Sequence, residues 1–157
     1  MTSLPIENVQ AYPRPAMLEP VAEPLSIYLD DACIAHTTRG YRVLETHHAP
    51  TYYVPPEDVT APLHPVAGTT FCEWKGVARY FDVEGKRHVA RRAAWCYERP
   101  SGAFAPIAGY LAFYAASMQR CLVGDIEVIP QPGDFYGGWV TPNLRGQVKG
   151  APGTRHW

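Results

Sequence analysis

The sequence predicts a single, mainly β domain of short strands, with short helices and a proline-rich N-terminal arm. The chain has 157 residues, which suits one domain with a substantial hydrophobic core. Its 16 prolines and 13 glycines interrupt the sequence so often that long helices have little room. The strongest strand pattern covers residues 69–83, and residues 86–97 are its predicted partner in a hairpin that turns at Glu84 and Gly85.

A tight turn at this point also predicts which side chains face each other across the hairpin. The predicted neighbours are Asp82 with Arg87, Phe81 with His88, Trp74 with Trp95, and Cys72 with Tyr97. The register matters because a slip of one residue moves every side chain to the opposite face of the sheet.

Shorter segments on both sides of the hairpin have strand, turn or helix signatures. Residues 1–24 are predicted to be an arm that either lies on the body or is loose in solvent, and residues 25–157 to be the β-rich domain. Strands are predicted at residues 26–30, 32–35, 51–54, 107–114 and 125–129, the first two joined at Asp30 and Asp31. Residues 39–45 fit a strand or one helical turn, helix is the alternative for residues 107–114, and residues 56–59 are predicted to open a short helix.

Composition and charge exclude several classes of protein. A formal net charge of -1 and a pI of about 6.6 argue against non-specific nucleic-acid binding, which requires a broadly basic surface. No apolar run approaches the roughly 18 residues that a membrane-spanning helix needs, so no membrane association is predicted. Because the N-terminus also lacks the pattern of a secretory signal, a cytoplasmic location is expected.

The cysteines and histidines do not have the spacing of a metal site. Cys33, Cys72, Cys96 and Cys121 stand far apart with no C-x-x-C pair, and they are therefore predicted to be small core residues with reduced thiols. His47 and His48 are adjacent, and adjacent residues of a strand point to opposite faces. Neither a metal nor a cofactor is predicted.

Several short motifs occur in an order that is specific to one family. They are RVLE at 42–45, YYVPPEDV at 52–59, TFCEWKG at 70–76, AWCY at 94–97, PQPG at 130–133, FYGGW at 135–139 and KGAPG at 149–153. Over residues 27–157 the chain resembles the bacterial proteins known as domain of unknown function 427. Two positions depart from the family pattern, namely Cys96 and the run GQVK at 146–149.

The resemblance implies a fold but no established activity. The implied fold is a β-rich tent of the Mss4-like type, related to methionine sulfoxide reductase B. A nucleotidyltransferase label is sometimes attached to the family, and that activity needs paired carboxylates that hold magnesium near a phosphate-binding turn. Asp125 with Glu127 and Asp82 with Glu84 have a suitable spacing, although alternating acids on a solvated strand explain both pairs more simply.

The segment 70–76 carries the first group of candidate site residues. The functional interpretation places Cys72 in a cleft as a nucleophile or redox thiol that a nearby cation activates. The alternative makes Cys72 a core residue, and it is favoured because free cysteine is among the most buried residue types. In this alternative Glu73 pairs with Lys75 or Arg79 on the surface.

The segment 135–139 has the composition of a binding loop. Its two glycines allow close backbone approach to a ligand, and Tyr136 and Trp139 offer flat apolar faces. Together with Lys149 and Arg155 the loop is suited to hold an anionic, ring-containing small molecule. The alternative is a C-terminal segment that docks on the sheet through its aromatic side chains.

A third group of polar residues lies earlier in the chain. Arg42 and Glu45 would form an ion pair that orients a ligand if they reached one cavity, and a structural salt bridge is the favoured alternative. Asp58 either belongs to the same group or caps its own short helix.

Three functional hypotheses follow. The leading one is a small-molecule-binding β domain, with enzymatic activity left open; the others are a non-catalytic protein-interaction module and a nucleotidyltransferase. The candidate pocket residues are Arg42, Glu45, Tyr53, Asp58, Cys72, Lys75, Trp95, Tyr97, Tyr136, Trp139 and Lys149.

Overall fold

A computed structural model of the chain describes residues 2–133 and 135–154. The strands of this described part are, in chain order, β1 (Glu7–Asn8), β2 (Met17–Pro20), β3 (Leu25–Leu29), β4 (Ala32–Thr37), β5 (Tyr41–Leu44), β6 (Thr51–Tyr53), β7 (Leu63–Cys72), β8 (Gly76–Glu84), β9 (Val89–Tyr97), β10 (Leu111–Phe113), β11 (Arg120–Val123), β12 (Ile126–Glu127), β13 (Ile129–Pro130), β14 (Trp139–Val140) and β15 (Leu144–Arg145). Short 3₁₀ helices cover Val9–Ala11, Pro56–Asp58, Gly102–Ile107 and Ala115–Ser117. The chain is a mainly β protein with one domain, as the sequence predicts.

The strands form several small, mostly antiparallel sheets. The central sheet has the order β10-β9-β8-β7, and a second four-stranded sheet has the order β12-β11-β3-β4. A three-stranded sheet of β2, β5 and β6 and the pairs β1 with β15 and β13 with β14 complete the fold. The β1–β15 pair is parallel and brings the arm against the C-terminal part of the chain. The described residues of the arm therefore lie on the body.

The prediction of one continuous strand over residues 69–83 is wrong. This stretch is divided between β7 and β8, which pair with each other through a three-residue turn at Glu73, Trp74 and Lys75. Gly76 follows the turn with a φ of 107°, a left-handed conformation that glycine adopts without a steric penalty. The turn places Lys75 at the end of the central sheet.

The predicted register of the next hairpin, β8 with β9, is also wrong. Tyr80 lies opposite Trp95 and Phe81 lies opposite Ala94, so neither Trp74 nor His88 occupies its predicted position. One cause is the turn itself, because Asp30 accepts hydrogen bonds from the backbone N–H groups of Arg87 and His88 at 2.7 and 3.1 Å. These bonds hold a longer turn than the two-residue turn predicted. A bulge further along β9 is the second cause.

The shorter elements agree with the sequence in most cases. The turn between β3 and β4 lies at Asp30 and Asp31, whose φ angles of 51° and 62° are those of a tight hairpin turn. The strand at 51–54 and the short helix at 56–59 are confirmed in β6 and the 3₁₀ helix Pro56–Asp58, and residues 39–45 contain the strand β5.

Two predicted strands are only partly formed. Within residues 107–114 only Leu111–Phe113 is a strand. The first residue of this stretch, Ile107, is the last residue of the 3₁₀ helix Gly102–Ile107. Residues 125–129 were predicted as one strand, which is wrong: Asp125 lies in a turn, and β12 and β13 belong to different sheets.

Successive side chains of β9 point to opposite faces of the central sheet, and each face belongs to a different hydrophobic cluster. Ala94 and Cys96 belong to the main core with the strands of the second sheet, and Trp95 and Tyr97 point to the opposite face. Cys96 and Cys121 are buried, as the core interpretation predicts, and burial raises the pKa of their thiols to about 11 and 12. Cys33 is exposed and Cys72 half-buried, contrary to that interpretation.

Trp139 belongs to the main core. It is 1% exposed, its ring stacks on that of Tyr52 at 5.1 Å between centroids, and its indole N–H donates to the Phe113 carbonyl at 3.0 Å. The indole therefore fixes β14 against β10.

We expect Trp139→Phe to lower the free energy of unfolding by about 2 kcal/mol, because it removes a buried hydrogen-bond donor and leaves a void. Urea unfolding measures the loss. Trp74→Phe is the matched control, since the half-buried Trp74 donates only to the Glu45 carboxylate at 3.3 Å, and its loss should be under about 1 kcal/mol. Equal losses in the two variants would contradict this assignment of Trp139.

Candidate functional site

A cleft with two adjoining lobes lies between the central sheet and the segment 135–138. The smaller lobe, of about 250 Å³, contains Lys75 and is called the lysine lobe; the larger, of about 410 Å³, contains Arg92 and is called the arginine lobe. The lobes share one wall, formed by Thr70, Tyr80, Tyr114, Phe135, Tyr136, Gly137 and Gly138. The two lobes therefore adjoin along one face of the sheet.

Most of the candidate residues chosen from the sequence line the lysine lobe. They are Glu45, Tyr53, Cys72, Lys75, Trp95, Tyr97, Tyr136 and Lys149. Arg42, Asp58 and Trp139 line neither lobe. Arg155, proposed with them as an anion contact, lies outside the described residues.

Arg42 does not pair with Glu45. It bridges the arm to the body instead, with its guanidinium 2.8 Å from Glu7 and 2.5 Å from Glu19. Burial works against the charged form of Arg42, but its hydrogen bonds to these carboxylates leave its pKa raised. Arg42 therefore forms a structural salt bridge, as the favoured alternative predicts, but its partners are Glu7 and Glu19 and not Glu45. Asp58 likewise pairs with Arg39 at 3.3 Å.

The two glycines of the loop place its backbone against protein rather than leave a gap. A Cβ on Gly137 would overlap the indole of Trp95, and a Cβ on Gly138 would overlap the side-chain oxygen of Gln131 and the Ala49 carbonyl. Glycine is therefore required at both positions for the loop to approach the sheet. Its backbone forms part of the wall of both lobes.

Lys75 is the least usual residue of the lysine lobe. It is 8% exposed, yet within residues 2–133 and 135–154 no carboxylate lies within ion-pair distance of its ammonium group and no acceptor bonds to it. Its Nζ lies 5.6 Å from the centroid of the Tyr97 ring and 6.0 Å from that of Phe104. Cation–π contacts at this distance contribute about 0.5–2 kcal/mol, and they leave the N–H donors of the ammonium group without a hydrogen-bond acceptor among the described residues.

Gln131 fixes the hydrogen-bonding state of His48 in the same lobe. The Gln131 Oε1 accepts from the backbone N–H of Ala49 at 3.1 Å, and this bond sets which way the amide faces. Its Nε2 then donates to the Lys149 carbonyl at 3.1 Å and to the His48 Nδ1 at 3.2 Å. Since Nδ1 is an acceptor, the proton of neutral His48 is on Nε2.

Burial keeps His48 neutral at physiological pH. Its pKa is lowered to about 4, mainly because burial desolvates the ring; Glu45 acts in the opposite direction, and the nearby Lys149 and Lys75 add to the lowering. His48 therefore presents an N–H donor without a charge. Its ring also contacts Tyr136 edge-on, with the centroids 5.3 Å apart.

The tyrosines of the cleft are neutral hydrogen-bonding groups. Burial raises the pKa of Tyr53, Tyr97 and Tyr114 above the ordinary value for a phenol. The Tyr80 hydroxyl lies 2.9 Å from the Thr70 hydroxyl, and the Tyr114 hydroxyl donates to the Phe135 carbonyl at 3.1 Å. Together they form a rigid aromatic wall with polar tips. Cys72 packs at the edge of this cluster.

Neither of the acid pairs considered for nucleotidyl transfer lies in the cleft. Asp125 and Glu127 are exposed, and Asp125 accepts from the backbone N–H of Thr2 at 3.1 Å. Asp82 is bonded to Arg91 and to the backbone of Arg92, and Glu84 lies 2.8 Å from His64. The part of the chain that the structure describes has no group of three or more metal-ligating side chains.

Sequence reasoning missed Arg92 and Gln131. Gln131 lies in the motif PQPG, which marked the segment as distinctive but did not single out its amide. Arg92 gave no signal, because it reaches the cleft only through the bulge in β9.

Comparison with known families agrees with the motifs. The model of a domain of unknown function, DUF427, matches residues 17–124, which is more than half of the chain. This chain belongs to the DUF427 family. The motifs at 130–133, 135–139 and 149–153 lie beyond the matched residues, so four of the seven residues of the shared cleft wall belong to a part of the chain outside the match. No functionally curated protein matches the chain significantly. Among the described residues no helix is long and apolar enough to cross a membrane.

We expect the buried His48 to make the protein less stable in mild acid. The unfolded chain binds a proton at this residue near pH 6.5 and the folded chain only near pH 4, so stability is complete above pH 6.5 and falls as the pH decreases towards 4. At pH 5 the loss amounts to about 2 kcal/mol.

The measurement is urea unfolding of the wild type and of His48→Gln at pH 7, 6 and 5. Carboxylates titrate equally in both proteins, so the difference between their pH profiles isolates His48. Parallel profiles would show that His48 is not buried in its neutral form.

Proposed function

We propose that this protein is a small-molecule-binding domain whose lysine lobe takes a ring-containing anion. The observation that carries the proposal is Lys75, whose side chain is largely buried in the lobe while its ammonium group has no carboxylate within 4.0 Å among residues 2–133 and 135–154. Proteins normally pair a partly desolvated charge or leave it fully exposed. A ligand carboxylate or phosphate would supply the missing partner.

The other polar groups of the lobe favour the same charge. Lys149 adds a second cation, and His48 adds a neutral N–H donor. The one described carboxylate of the lobe, Glu45, already accepts a hydrogen bond from the Trp74 indole at 3.3 Å. Donors therefore outnumber acceptors, which is the arrangement that binds an anion.

The aromatic walls support a ring in the ligand. Trp95 and Tyr114 lie 4.5 Å apart between centroids, and Tyr53, Tyr97 and Tyr136 line the same lobe. Flat side chains with their polar tips engaged offer apolar faces to a planar molecule. A binding role explains these features without a catalytic step.

A second candidate is a protein-interaction module. Phe71 and Val77 face each other across the β7–β8 hairpin, and Phe71 and Phe135, which are 74% and 61% exposed, both border the mouth of the lysine lobe. Exposed aromatics grouped in this way are typical of docking surfaces. Selection from a random peptide library tests it: peptides that bind the wild type but not a Phe71→Ser, Val77→Ser double variant would support this candidate. Nucleotidyl transfer gains no support, because the acid pairs face away from the cleft.

We expect Lys75→Met to weaken the binding of an aromatic carboxylate by 10- to 100-fold, because a hydrogen bond between charged groups contributes about 1.5–3 kcal/mol. Isothermal titration with biphenyl-4-carboxylate measures the change. Biphenyl-4-methanol has the same rings without the charge, and its affinity should not change in the variant.

Lys86→Met is the matched control, since Lys86 is exposed and lies outside the cleft, and it should bind both probes as the wild type does. Thermal unfolding establishes that each variant is folded. The proposal fails if the wild type binds neither biphenyl-4-carboxylate nor benzoate, or if Lys75→Met binds them as tightly as the wild type.

A further inference from the structure

We propose that the ligand carries a second anionic group, bound by Arg92 in the arginine lobe, so that the preferred ligand is an elongated dianion with a ring between its charges. This inference rests on the proposed function of the lysine lobe and adds the class of ligand. It is based on how the fold places Arg92, on the partners of the neighbouring arginines, and on the residues that the two lobes share.

A bulge in β9 directs Arg92 into the cleft. Val83 pairs with Ala90 and Phe81 with Ala94, so three residues of β9 stand opposite Asp82 alone. Arg92 has a φ of 49°, a left-handed conformation that is uncommon for a residue with a side chain. Bulges often redirect a side chain next to a functional site.

The buried carboxylate of Asp82 holds this conformation. Its Oδ1 accepts from the backbone N–H of Arg92 at 2.7 Å, and its Oδ2 accepts from the side chain of Arg91 at 2.9 Å. The Arg92 backbone hydrogen bond is the main reason that the pKa of Asp82 lies below its ordinary value. Both oxygens of Asp82 are thus occupied, and neither is bonded to the guanidinium of Arg92.

The guanidinium of Arg92 differs from those of its neighbours in having no acidic partner among the described residues. Arg91 pairs with Asp82 and Arg79 pairs with Glu98, whereas Arg92 has no carboxylate within 4.0 Å in residues 2–133 and 135–154. It lies over the ring of Tyr80, with its central carbon 3.9 Å from the ring centroid. Stacking fixes the plane of the guanidinium and leaves its edge free to bind a carboxylate or phosphate through two hydrogen bonds.

The two cationic groups line adjoining lobes of the cleft. Tyr80 and Tyr114 belong to the wall shared by the lobes, so a ring held there would have Lys75 on one side and Arg92 on the other. When one molecule carries both anionic groups, the second contact forms at high effective concentration. A dianion should therefore bind much more tightly than the matched monoanion.

The test is isothermal titration of the full chain with biphenyl-4-carboxylate and biphenyl-4,4′-dicarboxylate, and with benzoate and benzene-1,4-dicarboxylate as a shorter pair. In at least one pair we expect the dicarboxylate to bind 10-fold or more tightly than the monocarboxylate. Arg92→Gln should abolish this advantage and leave the affinity for the monocarboxylate within about 2-fold of the wild type. Biphenyl-4,4′-diphosphonate, measured against its monophosphonate, shows whether phosphate-like groups are preferred.

Arg79→Gln is the matched control, because Arg79 is an exposed arginine of the same sheet that lies outside the cleft, and it should keep the full advantage of the dianion. Arg92→Asn, which tolerates the left-handed conformation, separates loss of charge from a disturbed backbone and should behave as Arg92→Gln does. The inference is overturned if monoanions bind through Lys75 but dianions gain nothing in any pair, or if the gain survives Arg92→Gln. Absence of binding by every monoanion would instead refute the proposed function itself.

Discussion

The carboxamide of Gln131 joins the three segments on which the cleft depends. It bonds to the backbone at Ala49 and Lys149 and to the ring of His48, and it is only 2% exposed. Because these bonds are largely shielded from water, loss of one would leave a buried partner unsatisfied, at a cost of about 1–3 kcal/mol. Gly138 lies against the same amide, which leaves no space for a Cβ. The tautomer of His48, the position of Lys149 and the approach of the loop to the sheet thus share one support.

Local patterns were sufficient to predict the elements whose cause is local. The hairpin turn at Asp30 and Asp31 was predictable because both residues tolerate a positive φ and lie between two strands with alternating hydrophobicity. The 3₁₀ helix Pro56–Asp58 was predictable from its first-turn proline and its acidic residues. Eight of the eleven candidate residues also line the lysine lobe, since aromatic and ionisable residues near glycines are typical of clefts. Trp139 shows what composition cannot predict. A tryptophan in such a segment can line a pocket or pack in the core, and its neighbours in the fold determine which of the two occurs.

Features with a distant cause were not predictable. The division of residues 69–83 into two strands is a different case, because its cause is local: Gly76 follows three polar or aromatic residues, a pattern that fits a short turn as well as a strand. The register of β8 and β9 depends on Asp30, more than fifty residues away in the chain, and on the bond between Asp82 and Arg92. Alternating hydrophobicity carries no information about such contacts, because a bulge leaves the pattern on each side intact.

Arg42, Lys75 and Arg92 have different surroundings in the fold. Arg42 is matched by two carboxylates and serves to hold the arm, whereas Lys75 and Arg92 lie in one cleft with aromatic neighbours and no described acidic partner. The left-handed backbone at Arg92 costs roughly 1–2 kcal/mol for a residue with a side chain, and glycine would fill a bulge without that cost. Packing gains little in return, since the residue is exposed. What the arginine adds is a flat, oriented charge over Tyr80 at the wall shared by both lobes, so the left-handed backbone that Asp82 holds in place is consistent with the proposed binding role.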